Sequence, residues 1–198
     1  MEQIPLSNQL YSSRFCGLQV TTGDILCTRD GEANSLLGRL WSMLGRLAPG
    51  EIDHCLLYLG PEGRCIESGP KGVIEFEMPF EGWDARTLFS QRWILDSLYG
   101  AAYPLANLEL AAGQEERIRL SVAAFCQEQA AHSKPYNLNY FNPQEDGAFY
   151  CSQLIYRAYL AEGIDLNTNL GVPAGPLKSI VFPQEIWNAC PHTALQKS

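Results

Sequence analysis

Phe149-Tyr150-Cys151-Ser152-Gln153-Leu154-Ile155-Tyr156-Arg157-Ala158-Tyr159-Leu160 is the stretch on which the reading of this chain turns. Leu154, Ile155, Ala158 and Tyr159 recur at helical spacing, and the preceding Asn142-Pro143-Gln144-Glu145-Asp146-Gly147 is turn-forming, so a helix begins close to Cys151. A thiol in the first turn of a helix lies against free N–H groups and the positive end of the macrodipole, and both favour the thiolate. The same N–H groups can hold a developing oxyanion. Cysteine is also a common inert core residue, so this stretch alone makes Cys151 a candidate nucleophile and no more.

A cysteine nucleophile needs a base and a group that orients the base. Of the three histidines, His132 ends a polar helix and His192 lies in the C-terminal tail, which leaves His54 on the apolar run Ile52-Asp53-His54-Cys55-Leu56-Leu57-Tyr58-Leu59. That run reads as a strand, Gly60-Pro61-Glu62-Gly63 as a turn, and Arg64-Cys65-Ile66-Glu67-Ser68 as the returning strand. With those four residues as the loop, Leu59 stands opposite Arg64 and Leu56 opposite Glu67. His54 and Glu67 then share a sheet face as diagonal neighbours, roughly 7–8 Å apart at the backbone. A loop one residue longer or shorter would turn Glu67 away and leave Ser68 in its place. The expectation is that the shared face looks toward the Cys151 helix.

Elsewhere, Gly23-Asp24-Ile25-Leu26-Cys27-Thr28 is a turn feeding a strand, and Gly72-Val73-Ile74-Glu75-Phe76 and Arg92-Trp93-Ile94-Leu95 read as further strands. Pro79 to Asp84 is a turn or a short helix. Gln114 to His132 is a long amphipathic helix, with Ile118, Val122, Phe125 and Ala130 inward and Glu115, Glu116 and Glu128 in solvent. Gly163 stops the Cys151 helix, residues 165 to 179 are loop, and Pro183 opens a last short helix. Residues 1–20 show no clear pattern and are expected to form an arm that packs on the body. From Asn34 to Leu47 the apolar residues have helical period, which suits a core-facing helix or a mobile flap, and 29–50 is a possible lid segment. The expected fold class is α+β, one domain over 1–198, with an antiparallel sheet of six strands or fewer packed against the Cys151 helix.

A chain of 198 residues with 46% hydrophobic composition supports one domain with a real core. A net charge of −8 and a pI near 4.9 argue against nucleic acid or an anionic membrane as an electrostatic partner. The seven cysteines are odd in number and form no C-x-x-C pair, which argues against zinc and against a disulfide framework, and no metal or cofactor is expected. The N-terminus lacks the basic and apolar regions of a signal peptide, and no run approaches the roughly 18 apolar residues of a membrane span. The expectation is a reduced, cytoplasmic protein without a transmembrane segment, with signal-independent export left open and the oligomeric state unassigned.

Five motifs carry a resemblance: Gly23-Asp24-Ile25-Leu26; Asp53-His54-Cys55-Leu56-Leu57-Tyr58-Leu59-Gly60; Ile66-Glu67-Ser68-Gly69-Pro70-Lys71-Gly72-Val73; Lys134-Pro135-Tyr136-Asn137; and Phe149-Tyr150-Cys151-Ser152-Gln153-Leu154-Ile155-Tyr156. Together, over about Gly23 to Asn188, they resemble the circularly permuted NlpC-type papain-like cysteine hydrolases of the YiiX/YebB-like amidase branch. In that branch the chain order is His, acidic or polar residue, Cys, as here. The resemblance implies a permuted papain-like fold with Cys151 as nucleophile, His54 as base and Glu67 as orienting residue. It implies aromatic positions near the pocket at Tyr150 and Tyr136, and Ser152 joins them as a candidate substrate contact.

The implied activity is hydrolysis of an amide bond, in a bacterial cell-wall (peptidoglycan-type) peptide, through a thioester acyl-enzyme. An alternative on the same triad is a lipid acyl hydrolase, acyltransferase or thioesterase, so the expected partner is a peptide or an acyl-bearing small substrate. A non-catalytic binding module is a further alternative, disfavoured because Cys, His and Glu all match. A cell-wall peptide carries carboxylates, and Arg29, Arg64 and Lys71 are the basic residues nearest the motifs. A lipid chain would instead suit the apolar segment from Leu36 to Leu47.

Overall fold

The computed structural model describes residues 9–30, 50–79, 82–169 and 175–195. Its centre is a six-stranded antiparallel sheet built from β3 (Ile25–Asp30), β4 (His54–Tyr58), β5 (Arg64–Gly69), β6 (Gly72–Glu77), β7 (Asp96–Ala102) and β8 (His192–Ala194). The strand order is β6-β5-β4-β3-β7-β8. Strand β4 sits inside the sheet and is buried along all five residues, which explains its nearly unbroken apolar run. The β4–β5 pairing aligns Leu57 with Ile66 and Tyr58 with Cys65, and Leu59 N–H donates to the Arg64 carbonyl at 2.8 Å. This is the register expected from a four-residue loop.

Side chains of opposite parity on these strands feed two separate cores. Ile25, Cys27, Cys55, Leu57 and Ile66 pack with α2 (Ala112–Ala131) and α3 (Cys151–Leu160), through Ile118, Val122, Leu154, Ile155 and Tyr159. Phe125 and Ala130 reach that core partly buried. Leu26, Leu56, Tyr58, Cys65 and Phe76 pack on the other side with Leu18, Val20 and Leu88. The molecule is therefore α+β, with helices α2 and α3 over one face and a hairpin and α1 (Ala85–Arg92) over the other.

Three expectations need correction. Of the arm expected over 1–20, residues 1–8 lie outside the described residues, and where no pattern was read the chain forms a hairpin of β1 (Ser12–Phe15) and β2 (Leu18–Thr21), turned at Cys16-Gly17 where φ is +49 and +80. Two successive positive φ values suit the twist of a two-residue hairpin loop, and Leu18 and Val20 point into the core while Gln19 is exposed. Arg92 to Leu95 is not a strand. Asp84 caps α1 by accepting from Arg86 N–H (3.0 Å) and Thr87 Oγ1 (2.5 Å), the helix runs to Arg92, and Trp93 ends it in the left-handed region at φ +62. The strand begins only at Asp96. His192, finally, is in β8 and pairs with Ala102, so the C-terminal segment is part of the sheet.

Strand β3 takes in Arg29 and Asp30, Gly50 is described, and residues 31–49 of the possible lid, which include the helical pattern expected from Asn34 to Leu47, lie outside the described residues. In the expected loop 165–179, residues 170–174 are likewise outside the described residues, and Pro176–Ser179 forms one 3-10 turn. Helix α4 (Pro183–Ala189) starts at its proline as expected. Among the described residues no helix is long and apolar enough to cross a membrane.

Candidate active site

Cys151 is the first residue of α3, with Tyr150 in extended conformation before it, so the thiol occupies the helix N-terminus. The backbone leading there is pinned from three directions. Phe149 pairs with Tyr136 in a parallel bridge, its N–H donates to Pro135 O at 3.1 Å, and its carbonyl accepts the Ser68 hydroxyl at 2.5 Å. Gln153, one turn into the helix and fully buried, organises the loop from 137 to 150. Its Oε1 accepts from Asn137 Nδ2 (2.9 Å) and from Tyr150 N–H (3.1 Å), while its Nε2 donates to Glu145 O (3.0 Å) and Asn142 O (3.4 Å).

His54 opens β4, and its Nε2 donates to Glu67 Oε2 at 2.7 Å. Its ring is also hydrogen-bonded to Cys151, so Nδ1 is the nitrogen that meets the sulfur. His54 and Glu67 share a side of the sheet as expected, but not the side that packs on α3. They alternate with Cys55, Leu57 and Ile66, which face α3, and stand with Leu56, Tyr58 and Cys65 beneath α1. The expected facing is corrected for a physical reason: an ionised, buried Glu67 needs a cation, and α1 supplies it. Arg92 Nη2 donates to Glu67 Oε2 at 2.7 Å, and Nε lies 3.0 Å from both carboxylate oxygens. Cys151 meets His54 at the very start of β4, where the helix terminus reaches the first strand residue.

The electrostatics follow from these contacts. Burial opposes ionisation of Cys151, but hydrogen bonding from Cys55 and the charge and hydrogen bond of His54 hold the thiol well below its usual range. Burial also opposes charge on His54, yet the Cys151 thiolate and the Glu67 carboxylate raise it to about 10. Burial would raise Glu67, but Arg92 and His54 draw it down to about 2. Cys55, buried and donating to Cys151, is pushed well up and stays a neutral thiol. The shifts of Cys151 and His54 both favour a thiolate–imidazolium pair backed by a carboxylate, an arrangement that can attack an electrophilic carbon and then deliver a proton. Cys151 is 1% exposed and His54 9%, so the imidazole edge is the more open part of the pair.

Comparison with known proteins adds no relative: no family model, no curated protein and no solved structure matches this chain.

The remaining sequence candidates are placed as follows. Ser152 is fully buried and donates to Val181 O at 2.6 Å, and the buried Tyr150 hydroxyl accepts from Val181 N–H at 3.2 Å. Both side chains tie α3 to the chain before α4 and are turned away from solvent. Tyr136 is half-buried, its ring edge-on to Tyr140 at 6.4 Å, and Tyr140 in turn lies edge-on to Tyr150 at 5.3 Å. Tyr140 is close enough for the Cys151 charge to raise its phenol along with burial, a neighbour that the sequence reading passed over. Among the basic candidates, Arg29 sits 3.7 Å from Glu51, Arg64 Nε donates to Gly60 O, and Lys71 Nζ donates to Ser90 O over the Trp93 ring. Arg92 was also missed. Its signal was the Asp84-x-x-Thr87 cap, which starts a helix, and the Arg92-x-x-x-Asp96 spacing of an ion pair.

Proposed function

We propose that this protein is a cysteine hydrolase that cleaves an amide bond, in a cell-wall-type peptide, through a thioester on Cys151. The observation that carries the reading is a cysteine at a helix N-terminus hydrogen-bonded to a histidine whose other nitrogen lies 2.7 Å from a buried glutamate. The three come from separate elements, and a core cysteine with no chemistry needs neither partner. The chain order His54, Glu67, Cys151, with the cysteine helix on an antiparallel sheet, supports a circularly permuted papain-like arrangement of the NlpC type.

In the proposed reaction the Cys151 thiolate attacks the carbonyl carbon while the proton rests on His54 Nδ1. N–H groups at the start of α3 stabilise the oxyanion, as preorganised donors do in acyl transfer. The imidazolium protonates the leaving amine and a thioester remains. Neutral His54 then takes a proton from water, the hydroxide adds to the thioester carbonyl, and collapse expels the Cys151 thiolate, releasing the acid and restoring the thiolate–imidazolium pair.

A second reading, acyl transfer or hydrolysis on a lipid-like ester or thioester, has its own support. Trp93 and Leu95, next to Arg92, and Leu138 and Phe141, in the loop that leads to Cys151, are all more than half exposed. A screen that sets muropeptides against acyl esters and thioesters, with the acyl-enzyme trapped and weighed on the intact chain, tests both. An adduct on Cys151 that is lost in Cys151→Ala supports hydrolase chemistry, and the substrate that forms it selects the reading. No adduct from either class would overturn the proposal.

A further inference from the structure

We propose that Arg92 is a positioning residue for the Cys151–His54–Glu67 constellation, holding the Glu67 carboxylate in one orientation through a fork that Asp96 and Thr28 brace from behind. The inference rests on the reading of Cys151 as a nucleophile. Arg92 is fully buried, and its guanidinium is spent on two carboxylates. Nε and Nη2 hold Glu67, while Nη1 reaches Asp96 Oδ1 at 2.8 Å and Nη2 reaches Asp96 Oδ2 at 2.9 Å. Asp96 is itself fixed, because its Oδ2 accepts the Thr28 hydroxyl at 2.7 Å and its carbonyl accepts Trp83 Nε1–H at 2.9 Å. The rings of Phe76 and Trp83 each lie 4.8 Å from the guanidinium carbon and confine its plane.

A purely structural ion pair would need one carboxylate and no histidine. Here one atom, Glu67 Oε2, takes both His54 Nε2 and Arg92 Nη2 at 2.7 Å. The planar fork therefore sets where the imidazole's acceptor lies, a task that a lysine point charge cannot perform. The two carboxylates outnumber the guanidinium, so the cluster behind His54 carries a net negative charge that favours the imidazolium. The other titratable neighbours stay neutral: Cys65 beside Arg92 and Glu67, Cys55 and Cys27 on the adjacent strands, and the Tyr140 phenol, all raised chiefly by burial.

The test measures the rate of Cys151 alkylation against pH on the intact chain, resolved by peptide mass, beside thermal unfolding of the same samples. Arg92→Lys keeps the charge and loses the fork, so labelling is expected to slow by about 100-fold with the pH limbs in place, the size of effect that misplacement of a reacting group by about 1 Å produces. Asp96→Asn keeps the shape and removes a negative charge, so both limbs are expected to move toward lower pH. Should Arg92→Lys fail to fold, Thr28→Val, which loosens only the brace, is expected to slow labelling in the same direction. Labelling rates and limbs equal to wild type, with only the melting temperature lowered, would make Arg92 a structural residue and overturn the inference. Wild-type labelling of Cys151 that ignores His54→Ala would instead overturn the nucleophile reading, so the two failures are distinguishable.

Discussion

His54 Nε2 lies 2.7 Å from Glu67 Oε2, and this one contact decides the tautomer of the ring. Glu67, drawn down to about 2 by Arg92 and His54 against the cost of burial, has no proton to offer, so Nε2 must carry one. Nδ1 is left to share a proton with Cys151. For Glu67→Gln the expected outcome is partial turnover, for Glu67→Ala less, and for Cys151→Ala none. Both limbs of the pH–rate profile should move toward lower pH in Glu67→Gln, because the ring and the thiol each lose a negative neighbour. Turnover against pH on the substrate found by screening checks this, and an unmoved profile would show that Glu67 does not orient the ring.

Cys151 should be the fastest thiol to alkylate near neutral pH. The exposed Cys16 is the competitor by accessibility, so the labelling is best done in a Cys16→Ser background. Cys27, Cys65 and Cys126 are fully buried with thiols pushed up by burial, and should react only on unfolding. Brief, limiting iodoacetamide followed by peptide mapping reads the order, and His54→Ala should slow Cys151 specifically. Preferential labelling of Cys27 or Cys126 would contradict the assignment.

Stability should fall with acid in a definite window. The depressed Glu67 group stabilises the fold above its unfolded value of about 4.5, and that contribution is lost as pH drops toward about 2. For a carboxylate 1% exposed, the loss is on the order of 3 kcal/mol. Chemical denaturation at several pH values between 2 and 5 should show the slope in wild type and a flatter one in Glu67→Gln.

Gln153→Leu should cost more than a surface glutamine would. The change leaves the buried Asn137 Nδ2 and Tyr150 N–H without their shared acceptor, and each unsatisfied buried group costs about 1–3 kcal/mol. Denaturant midpoints should drop, and limited proteolysis should cut first between 137 and 149, the loop that Gln153 holds.

Gly72→Ala should unsettle the same region from the sheet side. Gly72 has φ +84, and a Cβ there would stand 2.6 Å from Lys134 O, the carbonyl that accepts Val73 N–H at 2.8 Å. A positive φ on a residue with a side chain costs on the order of 1–3 kcal/mol before any clash is counted. A variant as stable as wild type in urea would contradict this account.

What the sequence disclosed about the site was local. A four-residue Gly-Pro-Glu-Gly turn fixes the β4–β5 register, and the register fixes the diagonal of His54 and Glu67. Turn-forming residues before an apolar helical pattern likewise fix Cys151 at the start of α3. What stayed hidden was tertiary. Arg92 follows Gln91 and precedes Trp93 and Ile94, a run that suits a strand, and only packing against Phe76 and Trp83 makes its burial sensible. Ser152 and Tyr150 look like site residues because they flank the cysteine, yet both side chains bond the backbone of Val181. Strand β8 has three exposed residues and no apolar alternation to announce it.

His54 and Glu67 sit in one hairpin, Arg92 follows soon after, and Cys151 is borne on a helix some sixty residues further on. During synthesis the imidazole and its carboxylate can meet before the chain that carries the sulfur has emerged. On the proposed reading, the thiol gains its partner only when α3 docks at the start of β4, a contact of long sequence separation. A chain in which that docking has not occurred would carry Cys151 as an ordinary thiol, so on this reading alkylation rate during refolding should report when the helix and the strand come together.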